Sequence, residues 1–397
     1  MKIKKLTYSL MIALLLSCSA EEQPAGEPVG RDGLPVGFTA SVPEAYRGQT
    51  RAPEDYRGRG VWTTEALRTA GFGVYCWYTG SSDFTVPTAS TYMLMRNQQV
   101  EYENGQWGYT PTKYWPSDPD EKLTFRAYAP YTNYLLTDDN GKPLLPVVVR
   151  ADDYCNNRQQ DPLWGTSIYV NGEKSTNDEK SYGEPYDNFT YHQSGSELTA
   201  DERDGIIDWY FHHGMAMFAL QVQLAEETEG VAVRLTRLHT GPFYDKGLLD
   251  IHASQTANSS QKPLWQDRSG DIYVDLAYQH PDDPDDPDGS KHDDLIGVPL
   301  SKENYTSVAV NGLLVIPRDY TSSETKMLLE VTYEEYNPST GVVLATKTAR
   351  TNIDRNIQGN TVYWLQLMLN AEENTLYVRS FINLDWQTGT YDLIDGL

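Results

Sequence analysis

The hydrophobic pattern of this chain repeats every two residues, a period that fits strands and leaves little room for long helices. Phe72, Val74, Cys76 and Tyr78 fall on one strand face, and Leu123, Phe125, Ala127 and Ala129 on another. Phe218, Leu220, Val222 and Leu224 alternate with Ala219, Gln221 and Gln223, which predicts a half-buried strand. Met327, Leu329, Val331 and Tyr333 alternate in the same way with Leu328, Glu330, Thr332 and Glu334. Residues 308–317 and 362–369 are two further strand candidates, and helical character is confined to a turn or two at 64–69. The 28 Tyr and 9 Trp suit pleated, half-buried surfaces. A chain of 397 residues is long enough for two domains. Many short strands in two halves predict two β-sandwiches, divided in the polar, acidic stretch 193–208.

The charge balance and the first residues set the compartment. With 32 Lys+Arg against 56 Asp+Glu the formal charge is −24, so the chain repels phosphate backbones and nucleic-acid binding is excluded. Lys2, Lys4 and Lys5 precede an apolar run, 6–16, that is too short to span a bilayer in a mature protein. The run ends in Leu15-Leu16-Ser17-Cys18, which resembles the lipobox of bacterial lipoproteins. That resemblance implies a signal peptide over 1–17 and acylation of Cys18. Several acyl chains, each contributing about 0.8 kcal/mol per buried methylene, hold a domain firmly to outer-membrane lipid. Ser19-Ala20-Glu21-Glu22 is similar to the acidic export tag of surface lipoproteins in some Gram-negative anaerobes.

Residues 18–60 read as tether and leader. The Pro-, Gly- and Glu-rich stretch 21–33 is a flexible spacer. Residues 34–42 (LPVGFTASV) form an isolated strand candidate carried by Leu34, Val36, Phe38, Ala40 and Val42. Turn chemistry returns over 43–60, which holds Arg47, Arg51, Arg57 and Arg59.

Catalytic signatures are missing from the sequence: there is no G-x-S-x-G, no H-E-x-x-H and no phosphate loop. Gly58 and Gly60 begin a G-x-G, but Thr63 takes the third-glycine position. His212 and His213 are adjacent on a strand and point to opposite faces, so they cannot grip one metal together. His212, in register with the apolar positions, is expected to be a satisfied inward side chain. The segment 280–294 (HPDDPDDPDGSKHDD) fails the calcium-loop template, because Ser290 and Lys291 follow Gly289 and no terminal Glu closes it. It is expected to be a solvated acidic loop. Cys76 and Cys155 could pair in an oxidising compartment, though Cys76 in an apolar strand reads as a small core residue. No metal, cofactor or catalytic residue is expected.

Several stretches together carry a family resemblance. They are Phe72-Gly73-Val74-Tyr75-Cys76-Trp77-Tyr78, then 93–102, then Trp107-Gly108-Tyr109-Thr110-Pro111-Thr112-Lys113-Tyr114-Trp115-Pro116, then Leu123 through Ala127-Tyr128-Ala129-Pro130-Tyr131. Later matches are Asp161-Pro162-Leu163-Trp164-Gly165, Phe211-His212-His213-Gly214-Met215-Ala216, 313–317, and Asp385-Trp386. This order resembles the fimbrillin-like (minor-fimbrillin, Mfa-like) lipoproteins of Gram-negative gut and oral anaerobes. Cys76 departs from it, standing where the pattern favours Ala.

The resemblance implies an all-β chain with two tandem transthyretin-like (Greek-key) β-sandwich domains, 61–203 and 204–397. It implies a cell-surface pilus (fimbria) subunit, or a fimbria-associated tip or anchor protein, that supports adhesion. In such lipoproteins an Arg- or Lys-specific protease removes the first strand, and a neighbouring subunit donates a strand to the vacated groove. Here the removable strand would be 34–42, the processing sites Arg47 or Arg51, and the donor the C-terminal end, 381–397. The partners implied are other fimbrial subunits, the protease, membrane lipid and a host or bacterial surface ligand. The alternative is a surface lipoprotein that binds glycans on exposed Trp and Tyr.

Overall fold

The computed structural model describes residues 30–42, 62–84, 92–139, 141–155, 159–167, 169–170, 173–174, 186–190, 205–257, 260–277, 297, 299–308, 312–322, 324–385 and 391–394. Among these the architecture is almost entirely strand, with two short helices, Thr64–Ala70 and Ala151–Cys155. The first helix starts where Thr63 Oγ1 accepts the Ala66 N–H at 3.1 Å. It ends at Gly71, whose φ of 67° is left-handed and costs little without a Cβ.

An eight-stranded sheet organises the N-terminal half. Its order is Gly37–Ser41, Ile206–His213, Leu163–Ser167, Lys122–Ala129, Phe72–Gly80, Tyr92–Glu103 and Gln106–Gly108, with Tyr186–Phe189 paired beside Lys122–Ala129. The two ends of this path approach each other through aromatic rings. Phe38 lies 5.3 Å from Tyr109 between centroids, and Phe72, on an inner strand of the path, lies 4.9 Å from Trp107 beneath that closure. The faces Phe72/Val74/Cys76 and Leu123/Phe125/Ala127/Ala129, separate in sequence, meet in the one core that this curl encloses, with Trp115, Trp209 and Phe211.

The opposite face of the same sheet is also buried. Tyr75, Trp77, Tyr128 and Trp164 pack against Leu145, Leu249 and Ile251. Those last three belong to a four-stranded sheet ordered Ser260–Ser269, Lys246–Ala257, Pro143–Val148 and Leu136–Thr137. Leu249 pairs with Leu145 and Gly247 with Val147. The second layer is therefore assembled from chain on both sides of residue 203.

The C-terminal half places a six-stranded and a five-stranded sheet around a second core. Ala216–Leu224 runs parallel to Thr361–Asn370 and antiparallel to Leu313–Val315 and Thr306–Ser307. The expectation of a half-buried strand at 218–224 is corrected here, because all nine residues of Ala216–Leu224 are buried. Its polar face is tolerated through pairing: Gln223 Nε2 donates to the Lys302 carbonyl, and Arg379 Nη1 donates to Gln223 Oε1 at 3.3 Å. Met327–Tyr336 keeps its expected alternation, with Met327, Leu329, Val331 and Tyr333 inward. Among the described residues of the expected strand at 308–317, Leu313–Val315 pairs as a strand, after Gly312 at φ 65°.

Candidate functional site

Residues 34–42 resolve into the end of one strand, Gly30–Pro35, and a second, Gly37–Ser41. The first lies antiparallel to Tyr114–Pro116. The second lies parallel to the start of Ile206–His213, pairing Phe38 with Ile207 and Ala40 with Trp209. It is the terminal strand of the eight-stranded path, hydrogen-bonded to one neighbour in that order. Val36, Phe38 and Val42 are 1%, 5% and 3% exposed, and Leu34 and Ala40 pack half-buried against the same core.

The receiving surface comes from distant residues. Val36 N–H donates to the Lys113 carbonyl at 2.9 Å, and Tyr109 Oη donates to the Val36 carbonyl at 2.7 Å. Gly37 N–H reaches the Gly205 carbonyl at 2.9 Å, and the same carbonyl accepts Trp115 Nε1–H at 3.0 Å. Gly205 has φ 86°, and a Cβ there would stand 3.0 Å from the Leu34 side chain, the Pro35 carbonyl and Trp115 Nε1. Thr39 Oγ1 donates to Asp208 Oδ1 from the neighbouring strand. Burial pushes the Tyr109 phenol well above its ordinary range, so it acts as a hydrogen-bond donor at any ordinary pH. The sequence marks neither Gly205 nor Asp208, nor the contact of Tyr109 and Trp115 with this strand, because nothing local signals a partner up to 169 positions away.

Cys18, Arg47 and Arg51 lie outside the described residues, as does the acidic segment 280–294. His212 and His213 are both buried and serve different neighbours. His212 Nε2 is 2.6 Å from Thr166 Oγ1 with its ring stacked on Trp164, whereas His213 Nδ1 is 2.5 Å from Asp161 Oδ2. Cys76 is a free, buried thiol whose pKa burial raises well above normal, so it is a core residue and a poor nucleophile. Among the described residues no group of three or more His, Cys, Asp or Glu could hold a metal ion. No described helix is long and apolar enough to cross a membrane.

One cleft of about 250 Å³ opens at the junction of the halves, lined by Val148, Val149, Arg150, Asp153, Gln159, Gln160, Met215 and Leu314. Its polar floor is already engaged with the strand Leu313–Val315. Gln159 Oε1 accepts the Leu314 N–H at 2.7 Å, Gln159 Nε2 donates to the Gly312 carbonyl at 3.2 Å, and Tyr154 Oη donates to the Leu314 carbonyl at 2.7 Å. These side chains finish an edge of the sheet rather than present free groups to a ligand.

What this geometry offers is a backbone-lined, aromatic-walled groove filled by an N-terminal strand. Known proteins share the framework. A fimbrium subunit, Fim1C, of Phocaeicola vulgatus is 30% identical over 133 residues, which is 33% of this chain and 31% of that protein. The match thus spans about a third of that relative's length. The crystal structure of a fimbrial protein from Bacteroides vulgatus superposes with a TM-score of 0.62 at 17% identity, covering 89% of this chain and 99% of the other. At that identity the likeness concerns the fold. The model of the fimbrillin-like family matches residues 50–386, most of the chain, and the chain belongs to that family.

Proposed function

We propose that this chain is a structural, non-enzymatic subunit of a cell-surface fimbria, or a tip or anchor protein of one, that supports adhesion. The relatives named as fimbrial proteins support this reading. In it, residues 1–17 are a signal, Cys18 carries lipid at the outer membrane, and 18–60 is the leader. Two transthyretin-like sandwiches follow, 61–203 and 204–397, with Ile206–His213 contributed to the sheet of the first and the strands Lys246–Ala257 and Ser260–Ser269 laid across it.

The observation that carries an assembly mechanism is the position of Phe38. It is buried, yet it belongs to a terminal strand that enters the fold before any other strand of its sheet. Cleavage at Arg47 or Arg51 would disconnect this strand from the rest of the chain. Its departure would leave apolar pockets and unpaired backbone groups, costly until another strand fills them. The donor candidate, 381–397, contains the strand Tyr391–Ile394, which here pairs with Thr375–Asp385 at the end of the six-stranded sheet.

Limited digestion with an Arg-specific protease tests this. Cleavage should fall first within 43–60 and leave the sandwiches folded, and the clipped protein should associate with its native partner subunits. Strictly monomeric behaviour of the clipped protein with those subunits present would overturn strand exchange. Saturable binding of the mature monomer on a glycan array, without fibre association, would favour the glycan-binding alternative.

A further inference from the structure

The groove that holds Gly37–Ser41 is apolar toward one face of its sheet and carries a carboxylate on the other. Val36, Phe38 and Val42 turn into the core that contains Trp209 and Phe211, with Ala40 packed half-buried on the same side. The alternate positions face the other way, and there the ladder sets Thr39 directly across from Asp208. Asp208 is 5% exposed, and Thr39 Oγ1 donates to its Oδ1. An ionised carboxylate accepts hydrogen bonds and donates none. It therefore favours a donor side chain across the ladder and repels a second carboxylate, more strongly where water is excluded. The strand runs parallel to Ile206–His213, in register from Gly37 opposite Ile206 to Ser41 opposite Tyr210.

We propose that Asp208 is the specificity-determining residue of this groove. It admits a partner strand that runs parallel to Ile206–His213 and has apolar side chains at the places of Val36, Phe38 and Val42. At the place of Thr39 that strand carries a hydroxyl, an amide or an ammonium group, and a strand with a carboxylate there is rejected. The assignment rests on the strand-exchange reading above, which supplies the vacated groove.

The end strand of this chain, Tyr391–Ile394, does not meet the requirement in that direction. With Tyr391 at the place of Phe38, Asp392 falls opposite Asp208. With Leu393 there, Asp395 falls on the core side at the place of Ala40. With Ile394 there, Asp392 takes the buried place of Val36 and Asp395 stands opposite Asp208. Thr375–Asp385, the strand before it, is held between two neighbours and buries Phe381. The occupant is therefore a strand of a different subunit rather than of a second copy.

Two measurements test this and separate it from strand exchange itself. In the uncut chain, Thr39→Asp should speed hydrogen exchange of the Gly37–Ser41 amides by about tenfold or more. Adding Asp208→Asn should restore most of that protection, and Thr39→Lys should keep it. In the second measurement the chain clipped within 43–60 is incubated with a synthetic peptide of residues 34–42, native or carrying Thr39→Asp. The native peptide should displace the clipped strand, the variant should bind about tenfold or more weakly, and Asp208→Asn in the clipped chain should close the gap. This arm uses the wild-type chain first, so it stands even if Thr39→Asp misfolds in the uncut protein. Equal capture of the two peptides, or exchange in Thr39→Asp that Asp208→Asn does not relieve, would overturn the proposal. Capture of neither peptide, with the coupling in the uncut chain intact, would overturn strand exchange instead and confine the discrimination by Asp208 to the chain's own strand.

Discussion

His213 Nδ1 sits 2.5 Å from Asp161 Oδ2, and both side chains are closed to solvent, at 1% and 0% exposure. The other oxygen of Asp161 accepts the Met215 N–H at 2.9 Å. One carboxylate thus grips both residues flanking Gly214, where the chain passes from the eight-stranded sheet to the six-stranded sheet. Gly214 N–H and the Pro162 carbonyl add a bond of 2.8 Å, and Trp62 Nε1–H reaches the Asp161 carbonyl at 2.7 Å. Removing one member of a buried polar pair leaves the other unsatisfied. Asp161→Ala should therefore lower the unfolding free energy by about 3 kcal/mol, read from the shift of the urea midpoint.

Phe38→Ala should cost about 3–5 kcal/mol, as for other buried aromatics truncated to a methyl group. The loss should fall on the N-terminal strand. Hydrogen exchange should show the amides of Gly37–Ser41 and their partners from Ile206 to Tyr210 deprotected more than those of Met327–Tyr336.

Gly73 lies beneath the Tyr128 ring, with a Cβ position only 2.3 Å from the ring carbon Cε1. That ring is held by bonds from its hydroxyl to Asn97 Oδ1 at 2.6 Å and to the Thr132 carbonyl at 2.8 Å. Gly73→Ala should displace the ring and cost about 1–3 kcal/mol in thermal unfolding. Gly108→Ala, with nothing within 4 Å of its Cβ position, should stay within about 0.5 kcal/mol of wild type.

His252 is held down to about pKa 3, first by burial and then by the positive charges of Arg126 and Lys142. Unfolding returns it to about 6.5, so between those values the unfolded chain binds the additional proton. Its contribution to stability is complete above about pH 6.5 and is lost progressively as pH falls toward 3. His252→Gln should flatten the slope of stability against pH in that window, measured by denaturant titrations at several pH values.

Cys18→Ser should abolish acyl labelling and release the chain from the membrane fraction, since Cys18 carries the lipid in the proposed precursor. Persistent labelling in that variant would remove the anchor assignment.

Strand positions were legible because alternation is written into neighbouring residues. Phe72–Gly80, Lys122–Ala129 and Met327–Tyr336 all contain the residues whose period announced them. Ala216–Leu224 was legible as a strand but not as one buried on both faces. The partners that permit Gln223 inside, Lys302 and Arg379, lie 79 and 156 residues further on. The candidate strand at 34–42 could be read from its apolar run, whereas its parallel direction and its Tyr109 and Trp115 walls could not.

By itself, the sequence determined that this is an acidic, strand-built chain without a recognisable catalytic motif. Those properties depend on composition and on residues a few positions apart. Tertiary structure alone decided that Lys246–Ala257 crosses to pair with Pro143–Val148 and that Gly37–Ser41 sits at the end of its sheet. A strand offers the same backbone groups to any neighbour, so its alternation says which side faces inward and nothing about which strand will lie beside it. That choice is made by the fit of side chains between segments distant in sequence, such as Leu249 against Leu145 and Phe38 against Tyr109.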